Sequence, residues 1–147
     1  MRTFHASLLL ALAAIAFSVT ACARECAPTV ADGWVRMPPM SMPMLAGFGR
    51  IENPCTVPLV VTGASSPSFG EVSLHETRIV DGVSRMRAVP ELRIAPDGDA
   101  ILEPGGLHLM LMQPNAPLEA GSRVVVEFEL KDGGVLRGEF EVRKPGS

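Results

Sequence analysis

The chain has 147 residues, a length for one domain rather than two. Hydrophobic residues make up 47% and charged residues 20%, which supports a packed core and excludes a disordered chain. A net charge of −3, with one Trp, six Phe and no Tyr, excludes a basic, base-stacking nucleic-acid binder.

Arg2 opens a short positive region, and Leu8 to Val19 is an uncharged apolar run too short to span a bilayer. Small residues follow, so residues 1–22 read as a secretory signal peptide, with cleavage near Ala21 to Ala23. Two cleavage patterns overlap. Val19-Thr20-Ala21-Cys22 resembles a bacterial lipobox, which makes Cys22 a lipidated N-terminus, whereas Ala21-Cys22-Ala23 fits ordinary A-x-A processing. The lipobox is preferred, because a Cys directly after such a run is uncommon by accident. Either route places the protein outside the cytoplasm, in the periplasm, its only membrane contact a lipid anchor. Cys26 and Cys55 are then an even pair in an oxidising compartment. They form no C-x-x-C, so they read as a structural disulfide tying the mature N-terminus to the turn at Asn53-Pro54-Cys55.

Residues 23–147 read as a single domain of short strands, since turn residues recur every eight to twelve positions and no window shows an amphipathic helix. Thirteen Pro and fourteen Gly leave no room for long helices. The expected strands are Leu45 to Ile51, Val57 to Thr62, Glu71 to Ile79, Val83 to Val89, Leu107 to Met112, Arg123 to Leu130 and Val135 to Val142. Alternation is clearest at the end. Val124, Val126, Phe128 and Leu130 share one face, and Leu136, Phe140 and Val142 repeat the pattern after the Lys131-Asp132-Gly133-Gly134 turn. In Leu107-His108-Leu109-Met110-Leu111-Met112 the leucines form the natural core face. His108, Met110 and Met112 are therefore expected on the opposite surface.

Two histidines outlast signal removal, His75 and His108, and with Met86 and Met110 they form the pattern H-x10-M-x21-H-x-M. In this spacing the chain resembles the periplasmic copper chaperones called PCuAC, associated with the CuA centre of cytochrome c oxidase. Gly33-Trp34-Val35-Arg36, His75-Glu76-Thr77, Met86-Arg87, Pro104-Gly105-Gly106 and His108-Leu109-Met110-Leu111-Met112 resemble it too, over about Gly33 to Val142. The resemblance implies an all-β, cupredoxin-like Greek-key β-sandwich in which His75, Met86, His108 and Met110 bind one Cu(I). The chemistry points the same way: thioethers are soft neutral donors that suit Cu(I) and are poor for zinc, calcium or magnesium.

The expected function is that of a monomeric carrier, not an enzyme. It would deliver Cu(I) by ligand exchange to the CuA subunit of cytochrome c oxidase, in company with a Sco-type thioredoxin-like protein. Copper buffering without a dedicated client is the alternative. An electron-transfer blue-copper protein needs a Cys ligand beside two His, and no Cys lies between Met86 and Met110. No G-x-S-x-G marks a hydrolase. Met40, Met42 and Met44 lie in a proline-stiffened loop and read either as exposed apolar residues or, on one side of an extended segment, as an accessory Cu(I) site or a shield for the first. Residues 142–147 hold no Met or His, so no Cu(II) site is expected there.

Overall fold

Short runs of β-branched and aromatic residues separated by Pro, Gly and Asp favour strands joined by tight turns. The computed structural model, which describes residues 26–146, shows ten of them. These are β1 (Thr29–Arg36), β2 (Met44–Asn53), β3 (Leu59–Ser65), β4 (Phe69–Val80), β5 (Val83–Ala88), β6 (Leu92–Ile94), β7 (Gly98–Leu102), β8 (Leu107–Pro114), β9 (Arg123–Leu130) and β10 (Val135–Arg143). The signal peptide and Cys22 lie outside the described residues. Hydrogen-bonded neighbours run β5-β4-β8-β7-β2-β1-β10-β9-β3-β6, with β8 also on β2 and β3 also on β4. The Ala64↔Val72 pairing of β3 with β4 folds this run back on itself. The result is the expected all-β sandwich, with a wall closed on one side.

The core follows the period-two pattern. Val124, Val126 and Phe128 of β9, with Phe140 and Val142 of β10, point inward against Leu109 and Leu111 of β8, Ile51 of β2 and Val35 of β1. Three strands were not expected from the sequence. β1 contains Asp32-Gly33, which reads as a turn. In the structure these residues form an irregularity between Ala31 and Trp34, with Asp32 at φ 54° and Gly49 of β2 facing it at φ 153°. A Cβ on Gly49 would stand 3.1 Å from the Ala31 carbonyl oxygen, so the close approach needs glycine. β6 and β7 have three and five residues, too few for a periodicity to register.

Cys26 and Cys55 are disulfide-bonded, as expected, with Cα atoms 5.2 Å apart. The turn that presents Cys55 is organised by Asn53, a polar side chain only 2% exposed. Its Nδ2 donates to the carbonyl oxygens of Val57 (2.9 Å) and Ala95 (3.0 Å), with that of Ile94 at 3.4 Å. Its Oδ1 accepts from the Cys55 amide at 3.2 Å. An apolar replacement removes these hydrogen bonds and leaves the buried Cys55 amide without its side-chain acceptor. Asn53→Leu is therefore expected to lower unfolding free energy by about 2–3 kcal/mol, read as a drop in the urea midpoint at unchanged slope. A midpoint equal to wild type would show that water replaces the amide at no cost.

Candidate metal site

The four candidate ligands come from three adjacent strands. β4 and β8 run antiparallel with His75 directly opposite His108, and Leu74 opposite Leu109. Because Leu74 and Leu109 are core residues, alternation turns both imidazoles to the other face. Met110 follows two residues along β8. Met86 on β5 stands opposite Thr77, which shares the parity of His75. All four side chains therefore occupy one face, and the structure brings the imidazoles and Met86 into a single cluster. The ring centroids of His75 and His108 are 6.2 Å apart, and Met86 Sδ lies 3.2 Å from His108 Nε2.

The tautomer of His108 follows from its neighbours. Nδ1 lies 2.9 Å from the Gly106 carbonyl oxygen, which can only accept, so Nδ1 carries the proton and donates. In the neutral ring Nε2 then presents a lone pair to a thioether that also has only lone pairs. That contact is a meeting of two metal donors rather than a hydrogen bond. With metal–sulfur and metal–nitrogen bonds of about 2.3 and 2.0 Å, two donors of one tetrahedral ion stand about 3.5 Å apart, close to what is found. His75 Nε2 shares a hydrogen bond with Ser73 Oγ at 3.1 Å, which sets its ring plane. Burial, and after it the neighbouring His108, lower the His75 pKa, with Glu71 pulling the other way. The ring is neutral at pH 7 and available to a cation.

The expectation that His108 and Met110 lie on an open surface is corrected. They are 7% and 8% exposed, whereas Met86 is 53% exposed. Phe48, one step beyond the Gly47↔Leu109 pair and therefore on the same face as His108, is itself buried. Phe48 stacks on Trp34 with centroids 4.6 Å apart, and the Arg36 guanidinium lies over both rings. The site is closed towards β2 and open towards β5. That strand is held to β4 by Glu76, which accepts from Arg78 and from Arg87 across the pair. These hydrogen bonds, Arg78's first and then Arg87's, keep the Glu76 carboxyl ionised below its ordinary range.

Sequence reasoning gave Gly106 no role beyond the resemblance and did not single out Ser73 or Phe48. The first acts through its backbone carbonyl, which carries no residue-type signal. Phe48 was legible in principle, since Ala46 and Phe48 alternate with the core residue Leu45. Among the described residues, no three His, Cys, Asp or Glu side chains gather where a metal could be held. The donor set that fits an ion here is two imidazoles with thioethers, and that set is soft.

The methionine loop is divided rather than gathered. Met40 and Met42 line a cleft of about 310 Å³ with Met37, Leu45, Pro114 and Leu118. Met44 is the first residue of β2 and pairs with Met112 of β8. Leu45 points to the core, so Met44 faces the other way, onto the ligand face.

The β-sandwich is the fold of solved PCuAC domains. The copper-bound PCuAC domain from PmoF2 superposes with a TM-score of 0.66 at 16% identity, covering 82% of this chain and 97% of that one, a likeness of fold. The solution structure of CuI-DR1885 from Deinococcus radiodurans gives a TM-score of 0.68 at 29% identity, covering 86% of this chain and 85% of that one. Residues 28–142 match the family model described as LpqE-like, putative lipoprotein, and the chain belongs to that family. A putative lipoprotein of Leifsonia xyli subsp. xyli (strain CTCB07) is 35% identical over 105 residues, 71% of this chain. The match spans 62% of that relative's length.

Proposed function

We propose that the protein is an exported carrier that binds one Cu(I) through His75, Met86, His108 and Met110 and passes it on by ligand exchange. The observation that carries this reading is the lone pair of His108 Nε2 facing Met86 Sδ at 3.2 Å, with Nδ1 committed to Gly106. Two imidazoles and two thioethers are neutral, so the bound site carries a single positive charge and costs less to bury than a divalent ion. The copper in CuI-DR1885 is the form this donor set favours. No bond in a substrate is made or broken, so the role is carriage rather than catalysis. The family's description as putative lipoproteins agrees with a lipid anchor at Cys22 that keeps the carrier at the outer side of a membrane.

Ligand exchange has a direction. Met86 is the exposed ligand and a thioether, the weaker donor type, so an incoming thiolate or imidazole reaches it first. His75, His108 and Met110 hold the ion meanwhile. The recipient in this reading is the CuA subunit of cytochrome c oxidase, with a Sco-type thioredoxin-like protein as a further partner. The test is to load the tag-free mature domain with one equivalent of Cu(I), mix it with an apo CuA domain and weigh the separated proteins by mass spectrometry. Copper on the CuA domain is the expected result. Retention by a chain that binds normally would leave buffering as the function. Met86→Ala is expected to weaken Cu(I) binding roughly ten-fold with the fold intact. The buried Met110→Ala should also cost stability, about 2 kcal/mol or more. Equal stability of the two variants would contradict this division between an outer and an inner thioether.

A further inference from the structure

The outer face of β2, β8 and β4 carries three successive rows of side chains. The row nearest the methionine loop is Met44, Met112 and Glu71, each directly opposite the next. The next is Ala46, Met110 and Ser73. The third holds His108 and His75. Along β8 the same face therefore reads Met112, Met110, His108, at steps of about 6.8 Å. Only the second and third rows belong to the proposed Cu(I) site, yet the first carries two more thioethers.

We propose that Met44 and Met112 form a second, weaker Cu(I) seat, one rung from the His75/Met86/His108/Met110 site and next to Met110. This rests on the Cu(I) reading of the main site. The geometry supports it in three ways. Directly opposed side chains on antiparallel strands have Cβ atoms about 4.5–5.5 Å apart. Two thioethers on one ion, with bonds of about 2.3 Å, need sulfurs no more than about 4.6 Å apart, a span that flexible Met side chains rising from opposed Cβ atoms can reach. Ala46, between Met44 and Phe48 on its strand, adds only a methyl group beside Met110. Glu71 borders Met112 on the far side, and its carboxylate compensates the ion's charge. Met44 is exposed, so the seat opens to solvent where the main site's β8 side is closed.

Soft neutral donors without an imidazole bind Cu(I) weakly and release it readily. A seat of that kind next to Met110 gives copper a second way into the main site, distinct from the Met86 mouth, with Met110 as the thioether common to both. Met40 and Met42, which line the cleft with Leu45, take no part in it.

The test is titration of the reduced-copper form under anaerobic conditions, using Cu(I) buffered by a chromophoric chelator and reading methionine ε-methyl resonances by NMR. Wild type is expected to take a first equivalent that shifts Met86 and Met110, then a second, at least ten-fold weaker, that shifts Met44 and Met112. Met44→Leu/Met112→Leu should keep the first equivalent and lose the second. Met40→Leu/Met42→Leu should keep both. His75→Ala/His108→Ala should lose the first and keep the second. The proposal is overturned if wild type stops at one equivalent, or if the Met44 and Met112 methyls do not move in the second phase. The wild-type methyl shifts decide the matter even if a variant fails to fold. An unchanged first equivalent in the double histidine variant would instead overturn the main-site reading.

Discussion

His75→Ala/His108→Ala is expected to reduce Cu(I) affinity at the main site by at least about 100-fold, the largest effect of any pair of substitutions in the protein. Replacing only the outer partners of metal ligands commonly costs ten- to a hundred-fold, and this change removes two ligands outright. The imidazoles are also the stronger donors of the set, and the tautomer fixed by Gly106 commits His108 Nε2 to the ion. The single His108→Ala change should lower affinity more than Met86→Ala. His108 is as buried as Met110, so the double variant is also expected to lose about 2 kcal/mol of stability, and affinity is compared in the folded fraction. Competition with a chromophoric Cu(I) chelator reads the affinity, and a double variant that binds as tightly as wild type would sink the ligand assignment.

The second large effect concerns the disulfide. Cys26 and Cys55 lie 29 positions apart, and closing a loop of that length stabilises the fold by about 3 kcal/mol through the unfolded chain. Cys26→Ser/Cys55→Ser should lose most of that, as should wild type treated with reductant. Cu(I) affinity should be unchanged in the folded fraction, because none of the four ligands lies within the closed loop. Thiol labelling of exported protein under denaturing, non-reducing conditions gives the direct check. Two labelled thiols would show that the pair does not form in the cell.

Much of this arrangement was legible in the residues. The hairpin of β9 and β10 shows in sequence because both strands alternate without interruption around a Gly-Gly turn. The face of His108 and Met110 follows from the leucines between them. What the sequence obscured has physical causes. β1 is broken by Asp32 and Gly33, whose left-handed and irregular backbone mimics a turn, so a strand central to the sheet order looked like a loop. The depth of His108 and Met110 was hidden because their cover comes from a distant strand. Phe48, with Trp34 stacked on it, closes a face that alternation alone leaves open. The methionine loop was read as a unit because its residues are consecutive. Register divides them, since β2 begins at Met44 and turns that side chain away from Met40 and Met42.

Strand β5 is the end of the sheet order, paired among the described residues only with β4, and all six of its residues are exposed. Its opening free energy is therefore set by one hairpin and the Glu76 clamp rather than by the leucine and phenylalanine core. Met86 sits on this element, while the other three ligands sit on β4 and β8, which contribute Leu74, Leu109 and Leu111 to the core. Amide hydrogen exchange should consequently be fast in β5 and slow in β8. The lifetime of the fourth ligand and the lifetime of the fold are thus two separate quantities, and the first can be tuned by changes in one hairpin while the second is left untouched.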